Sequence, residues 1–258
     1  MARPEKHRIR SAFDRAALSY DAAAVLQREV CHRLLALLPE ATDVAPRLLD
    51  AGCGTGYGAR LLSERWPQAG IVAADFSPAM AGIASKVFEA SACIVADMES
   101  LPLRSSSQDG YWSSLAVQWC DPQRVMNEVS RVLDAGGWLA LSTLGEATYA
   151  ELREAFSTVD RHSHTLDFSS AGQLMSAATQ AGLREVALHR HTIVLHYPDL
   201  RHLLGAVKAI GANSLGPGRR AGMMGKSAWQ RLTAAYELHR TGSGLPASYD
   251  VILLTAKK

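Results

Sequence analysis

The chain has 258 residues, and its 27 Lys and Arg against 25 Asp and Glu leave a net charge of only +2. With 48% apolar and 20% charged residues, a disordered or fibrous chain is excluded and one sizeable buried core is affordable. The small net charge argues against a general nucleic-acid binder, no apolar run is long enough to span a bilayer, and the charged N-terminus lacks the apolar segment of a secretory signal.

The charge is unevenly spread. Arg3, Lys6, Arg8 and Arg10 open the chain, and Arg201, Lys208, Arg219, Arg220, Lys226, Arg231 and Arg240 face only Asp199 and Glu237 between Pro198 and Arg240. A local basic field of this kind steers anionic ligands or an acidic partner, although a solvated helix face has the same composition. Cys31, Cys53, Cys93 and Cys120 show no C-x-x-C spacing, so neither a zinc site nor a redox pair is expected. They read as reduced thiols of a cytoplasmic protein, with no metal, no nucleic acid and no membrane among its partners.

In chain order, residues 1–20 are basic and polar. Helical spacing of Leu26, Val30, Leu34 and Leu38 follows, with Asp21 as the expected N-cap. A first strand, RLLDAG (47–52), ends on an acid, and the helix YGARLLSERWP stops at Pro67. The strand GIVAADFS carries Asp75 at its end, and the next helix has Ser77 as cap and Pro78 in its first turn. A third strand is expected to end at Asp97, and a fourth lies within DGYWSSLAVQWC. Asp121 and Pro122 start a helix that Gly136 and Gly137 are expected to close, before the fifth strand WLALSTL. Two helices, a strongly alternating strand EVALHRHTIVLHY, two further helices around the Gly-rich basic stretch NSLGPGRRAGMMGK, and a last strand SYDVILLTAKK complete the chain.

Five strand–helix alternations in about a hundred residues predict an α/β fold: a Rossmann-like, doubly wound, mostly parallel sheet of seven strands. Its last strand is expected to be antiparallel. Right-handed crossovers bring every parallel strand's C-terminal end to one edge, where such sheets bind ligands, and Asp50, Asp75 and Asp97 fall there. The expected organisation is one domain over 1–258: an N-terminal helical cover (1–40), a cofactor-binding core (46–144), lid insertions (145–169 and 198–245) and a last strand (246–258).

The loop LLDAGCGTGYG (48–58) asks what approaches its backbone. A dinucleotide fingerprint G-x-G-x-x-G that starts at Gly52 requires a third glycine at position 57, which is Tyr57. A Walker loop is excluded because no G-K-[ST] follows. The spacing G-x-G-x-G instead resembles motif I of class I S-adenosylmethionine-dependent methyltransferases. That resemblance implies backbone contact at Gly52, Gly54 and Gly56 with the methionyl part of the cofactor, and Asp50 near its ammonium. Asp75, with neighbouring Phe76, would take the ribose hydroxyls, and Asp97 and Met98 the adenine.

Methyl transfer from a sulfonium is an in-line displacement, so positioning supplies most of the catalysis, and a base is needed only for a protonated nucleophile. No His–Asp pair stands out at the ligand edge. His162, His164, His189, His191 and His196 cluster beyond the fifth strand and read as surface or strand-face residues. This favours an acceptor that is already anionic or carbon-activated.

Stretches outside motif I are more particular: SAFDRAALSYDAAAVLQREV, SLAVQWCDP, LGPGRRAGMMGKSAWQRLTAAYE and GLPASYDVI. Together they resemble the malonyl-acyl-carrier-protein O-methyltransferases of biotin synthesis, over nearly the whole chain. The resemblance implies methylation of the free carboxylate of a malonyl thioester on acyl carrier protein or coenzyme A. It implies Tyr20 closing over the cofactor, Gln118 and Trp119 facing the transferred methyl, and Arg219, Arg220 and Lys226 meeting the malonyl carboxylate or the carrier's phosphate. Other readings remain: a related methyltransferase acting on a quinone carbon or an amine, a nucleic-acid methylase, or a cofactor-binding module without chemistry.

Overall fold

The computed structural model describes residues 5–40, 45–87, 92–160, 162, 164–211 and 224–258. Seven strands form one sheet in the order β3-β2-β1-β4-β5-β7-β6. They are β1 (Arg47–Ala51), β2 (Gly70–Asp75), β3 (Ala92–Val95), β4 (Gln108–Ser114), β5 (Leu133–Leu144), β6 (Arg184–Tyr197) and β7 (Leu245–Lys257). The first five pair in parallel, whereas β7 runs antiparallel to both β5 and β6. The expected α/β sheet with an antiparallel last strand is the observed one. The order reverses at β1, which pairs with β2 on one side and β4 on the other, and that switch point opens a crevice at the strands' C-terminal ends.

Among the described residues, ten α-helices cover the sheet: α1 (Lys6–Ala16), α2 (Tyr20–Ala23), α3 (Val25–Leu35), α4 (Tyr57–Arg65), α5 (Pro78–Val87), α6 (Pro122–Val132), α7 (Ala150–Ser157), α8 (Ala171–Gln180), α9 (Leu200–Ala209) and α10 (Lys226–Glu237). Consecutive strand residues point to opposite faces, so Leu48 and Leu49 enter different cores. Leu48 packs with α3, α4, α7 and α10 through Leu34, Leu62, Leu152 and Leu232. Leu49 packs with α1, α6 and α8 through Ile9, Met126 and Leu174.

Local signals explain most boundaries. Asp121 accepts from the backbone N–H groups of Gln123 (2.9 Å) and Arg124 (3.1 Å), and Pro122 opens α6. Ser170 and Gln173 form a reciprocal capping box at α8. Three expectations need correction. Asp21 does not cap α3; it lies inside α2, and its carboxylate accepts from Thr55 Oγ1 at 2.7 Å. Helix α6 ends at Val132 rather than at the glycine pair, because Leu133 turns extended and pairs with Gln108. Gly137 then lies against the carbonyls of Asp134 and Asp109, where a Cβ would sit 3.0–3.1 Å from both oxygens. Strand β3 ends at Val95, and Asp97 occupies the turn beyond it, bridged to Ser100.

Candidate active site

The glycine loop is shaped by what surrounds it. β1 delivers Asp50, which is 1% exposed, and the chain then turns through left-handed Gly52, Gly54 and Gly56 (φ 77°, 54° and 92°). The N–H groups of Gly52 and Cys53 donate to the Ala74 carbonyl at 2.7 and 3.0 Å, tying the loop to β2. A Cβ on Gly52 would collide with that of Ala116, in the exit loop of β4. One on Gly58 would sit 2.7 Å from Trp112 Nε1 and 2.8 Å from Asp50 Oδ2. Those two atoms, with Gln27 Oε1, are buried polar groups without a hydrogen-bond partner, so polar capacity is held in reserve under the loop. Burial pushes the Asp50 carboxyl up to about 7, against the backbone N–H of Ala59, and the charge of Asp75 adds to the rise.

Asp75 binds the loop directly. Its Oδ2 accepts from Gly54 N at 2.8 Å and its Oδ1 from Ser77 N at 2.7 Å. Burial raises its pKa to about 6 while these two bonds hold it down. Asp97 takes Lys6 of α1 as an ion-pair partner, and Lys6 also reaches Glu99 at 3.0 Å. Burial disfavours the Lys6 charge, but the two carboxylates outweigh it and its pKa rises above the ordinary value. Ligand atoms of Asp97, Glu99 and Cys120 converge within 4.8 Å of one another, and there Lys6 provides the cation.

Two cavities meet at this edge. The first is bounded by Gly52, Gly54, Asp75, Phe76, Asp97 and Met98, with Lys6, Ile9 and Met80 closing it. The second, about 320 Å³, lies beneath α7 and α9 and is largely apolar, with Leu144, Leu152, Phe156, Phe168 and Leu204 on its wall. Phe13, Tyr20, Leu115 and Trp119 line both and form the partition between them. Phe13 meets Trp119 edge-on, 5.5 Å between ring centroids. Tyr20, half-buried, has its pKa driven well up by burial and by Asp75 and Asp21, which keeps its hydroxyl a donor. Leu115 is held in the left-handed region (φ 49°), an uncommon conformation for a branched residue and one that recurs at functional sites.

The structure therefore brings together Tyr20, Trp119, Gly52, Gly54, Asp75, Phe76, Asp97 and Met98 at the first cavity. Asp50 lies just below, lining a small space of about 40 Å³ under the glycine loop. Gly56 faces away and packs against Ala84 of α5. Gln118 lines only the second cavity, where its Nε2 donates to the Leu115 carbonyl (2.6 Å) and its Oε1 accepts from Thr143 (3.3 Å). Lys226 stands exposed at the start of α10 and lines neither cavity, and Arg219 and Arg220 lie outside the described residues. Sequence reasoning missed Lys6, Ile9 and Phe13, although their spacing along one helical face was a readable signal. It also missed Leu115, Tyr149 and Tyr249, which no local pattern marks. Of the histidines, His164 enters the second cavity, stacked on Phe156 and paired with Asp160 at 2.7 Å.

The fit to an S-adenosylmethionine-type cofactor follows from these observations. The loop lacks Cβ atoms where a ligand must come close, Asp50 and Asp75 stand at the C-terminal ends of β1 and β2, Met80 and Met98 give the cavity apolar walls, and polar atoms remain unpartnered beneath the loop. Comparison with known proteins agrees. Residues 49–141 match the model of a methyltransferase domain. Among solved structures, a SAM-dependent methyltransferase of Thermotoga maritima shares the fold, with a TM-score of 0.58 at 20% identity over 97% of this chain and 99% of its own. The biotin biosynthesis bifunctional protein BioHC of Teredinibacter turnerae is 39% identical over 98% of this chain and 47% of its own length. The malonyl-[acyl-carrier protein] O-methyltransferase of Dechloromonas aromatica is 51% identical over 99% of this chain and 96% of its own. On identity of that degree along nearly the entire length of both proteins, the chain belongs to the malonyl-[acyl-carrier protein] O-methyltransferase family.

Proposed function

We propose that the chain transfers a methyl group from S-adenosylmethionine to the free carboxylate of a malonyl thioester on acyl carrier protein, giving the methyl ester that starts pimeloyl synthesis for biotin. The observation that carries this reading is the pair of cavities divided by Phe13, Tyr20, Leu115 and Trp119: one edged with acids, the other apolar. When bound, the cofactor supplies an activated methyl; the carboxylate oxygen forms the new bond as the S–CH3 bond breaks, and the electron pair leaves with a neutral thioether sulfur.

No proton changes hands, so the site needs no base. A carboxylate is ionised well below neutral pH. The roles of the chain's own residues are orientation and exclusion of water. Asp75 would accept from ribose hydroxyls, and Asp50 would face the ammonium through the space below the loop. Met98 and Met80 would flank the adenine. Asp97 would accept from the adenine amine beside its ion pair with Lys6, so α1 and the cofactor would share that carboxylate. Tyr20 and Trp119 would line the methyl's path, and Gln118 would steady Leu115 beside it. Arg219 and Arg220, with Lys208 and Lys226 nearby in sequence, are suited to an acidic carrier protein or to the phosphate of its arm.

The test is to incubate the protein with S-adenosylmethionine and malonyl carrier protein and to weigh the acyl group, in parallel with malonyl-coenzyme A. A gain of about 14 Da, as one methyl replaces the carboxylate's charge, is the expected result. Transfer to another acceptor and none to either malonyl thioester would reject the reading.

A further inference from the structure

The second cavity raises a question that the proposed reaction leaves open: what holds the acyl carboxylate in an apolar chamber? Among the described residues no arginine lines it, and Lys208 stands exposed at its edge on α9. Gln118 is tied at both ends of its amide, and His164 is committed to Asp160. Besides Thr165, the buried polar side chains that remain on the wall are Tyr149 (8% exposed) and Tyr249 (3% exposed).

Their hydroxyls form a slack chain. Tyr149 Oη lies 3.5 Å from Tyr249 Oη, which lies 3.4 Å from Tyr197 Oη. Tight hydroxyl pairs sit near ~2.7–2.8 Å, so both bonds compete weakly with an incoming acceptor. Three hydroxyls bring three protons, and a chain of two bonds uses two of them. One proton is therefore surplus. Tyr149 donates to Tyr249, whereas either Tyr197 or Tyr249 can donate in the second bond; when Tyr197 donates, the Tyr249 proton is left for the chamber. Burial raises the Tyr149 hydroxyl to about 12 and the Tyr249 hydroxyl further, so both stay protonated as donors. The backbone points the same way: Tyr149 is held left-handed (φ 60°) by its N–H bond to the Ser248 carbonyl at 2.7 Å, and its ring meets that of Tyr249 at 5.0 Å. A strained bulky residue on a cavity wall is over-determined by its surroundings and is a candidate for function.

We propose that Tyr149 and Tyr249, backed by Tyr197, are the neutral donor site that receives the substrate's carboxylate in the second cavity and selects acyl groups ending in a carboxylate. This rests on the malonyl thioester reading above. A neutral donor suits a carboxylate that must act as nucleophile, because a strong ion pair would stabilise the ground state and slow attack. It also distinguishes substrate from product: the methyl ester is a weaker acceptor and loses its hold.

The test is steady-state kinetics with malonyl carrier protein for Tyr149→Phe, Tyr249→Phe and the double variant. Each single chamber variant leaves one wall hydroxyl with an uncommitted proton, so KM is expected to rise about threefold. The double variant leaves none and is expected to raise KM at least about tenfold, the loss of a hydrogen bond to a charged group, with kcat changed less than about threefold. Cofactor affinity and the unfolding midpoint are read alongside, since a merely structural role would move those instead. Calorimetric preference for malonyl over acetyl carrier protein should shrink in the double variant. Unchanged KM in both single variants overturns the proposal even if the double variant fails to fold. A wild-type chain that transfers no methyl to the malonyl thioester overturns the substrate reading and this proposal together; active wild type with unaffected variants overturns this proposal alone.

Discussion

The Asp75 carboxylate shapes the glycine loop and would also face the ligand. Removing it frees the N–H groups of Gly54 and Ser77 as well as the ribose hydroxyls. Asp75→Ala is expected to weaken cofactor binding by about a hundredfold, the scale of two hydrogen bonds to a charged group. Titration calorimetry checks this, and wild-type affinity would reject the role. Asp50 is legible in the stability of the protein itself. Its carboxyl has a pKa of about 7 in the folded chain against 3.8 ordinarily. Below about pH 4 both states hold the proton and nothing is lost; as pH rises, the unfolded chain ionises first and the folded state loses stability until about pH 7. Asp50→Asn does not titrate, so it should gain on wild type by up to about 1.4 kcal/mol per pH unit across that window, and level off above it. Denaturant unfolding at a series of pH values reads the difference, and parallel curves would refute the buried, unpaired carboxylate.

At the scale of elements, α1 is a working part of the site. Ile9 and Ala12 bury one face, Lys6 pairs with Asp97 and Glu99, and Asp14 accepts from Ser77 Oγ at 2.5 Å. The helix thus contacts the acid turn after β3 and the cap of α5 together, which makes it a lid fastened at both ends. Phe13, on the same helix, belongs to the partition between the cavities. Phe13→Ala is expected to raise KM about tenfold for cofactor and acyl substrate alike, since it opens the wall that both share. Separate KM measurements check this, and a change confined to one substrate would place Phe13 on one side only. The strands and most helices were readable from periodicity and caps. The ends of β3 and α6 were not, because pairing partners decided them: Leu133 is drawn into the sheet by Gln108, far back along the chain, and no local signal marks where the helix stops.

At the scale of the whole molecule, the candidate site occupies the C-terminal edge of the parallel strands, with Lys6 of α1 and Lys208 of α9 on the walls of its two cavities. Charge reversal at Arg219 or Arg220 is expected to lower kcat/KM on malonyl carrier protein about tenfold, with a smaller effect on malonyl-coenzyme A and a loss of salt sensitivity. Unchanged kinetics on the carrier-bound substrate would remove these arginines from the docking surface. No helix among the described residues is long and apolar enough to cross a membrane.

The edge of the candidate site was largely legible because its parts are local: acids at or just beyond the ends of the first three strands and, after Asp50, glycines in the turn. The sequence by itself determined the alternation of strands and helices, the parallel sheet with its antiparallel end, and the kinship carried by the longer stretches, since all of these depend on residues close together along the chain. Only the tertiary structure decided that Asp21 locks Thr55 instead of capping a helix, that Lys6 claims Asp97, and that Phe13, Tyr20, Leu115 and Trp119 divide two cavities while Tyr149 and Tyr249 line the second. Those residues meet because the sheet order sets β7 beside β5 and folds the N-terminal helices over the switch point, a juxtaposition set by long-range packing that no short window of sequence contains.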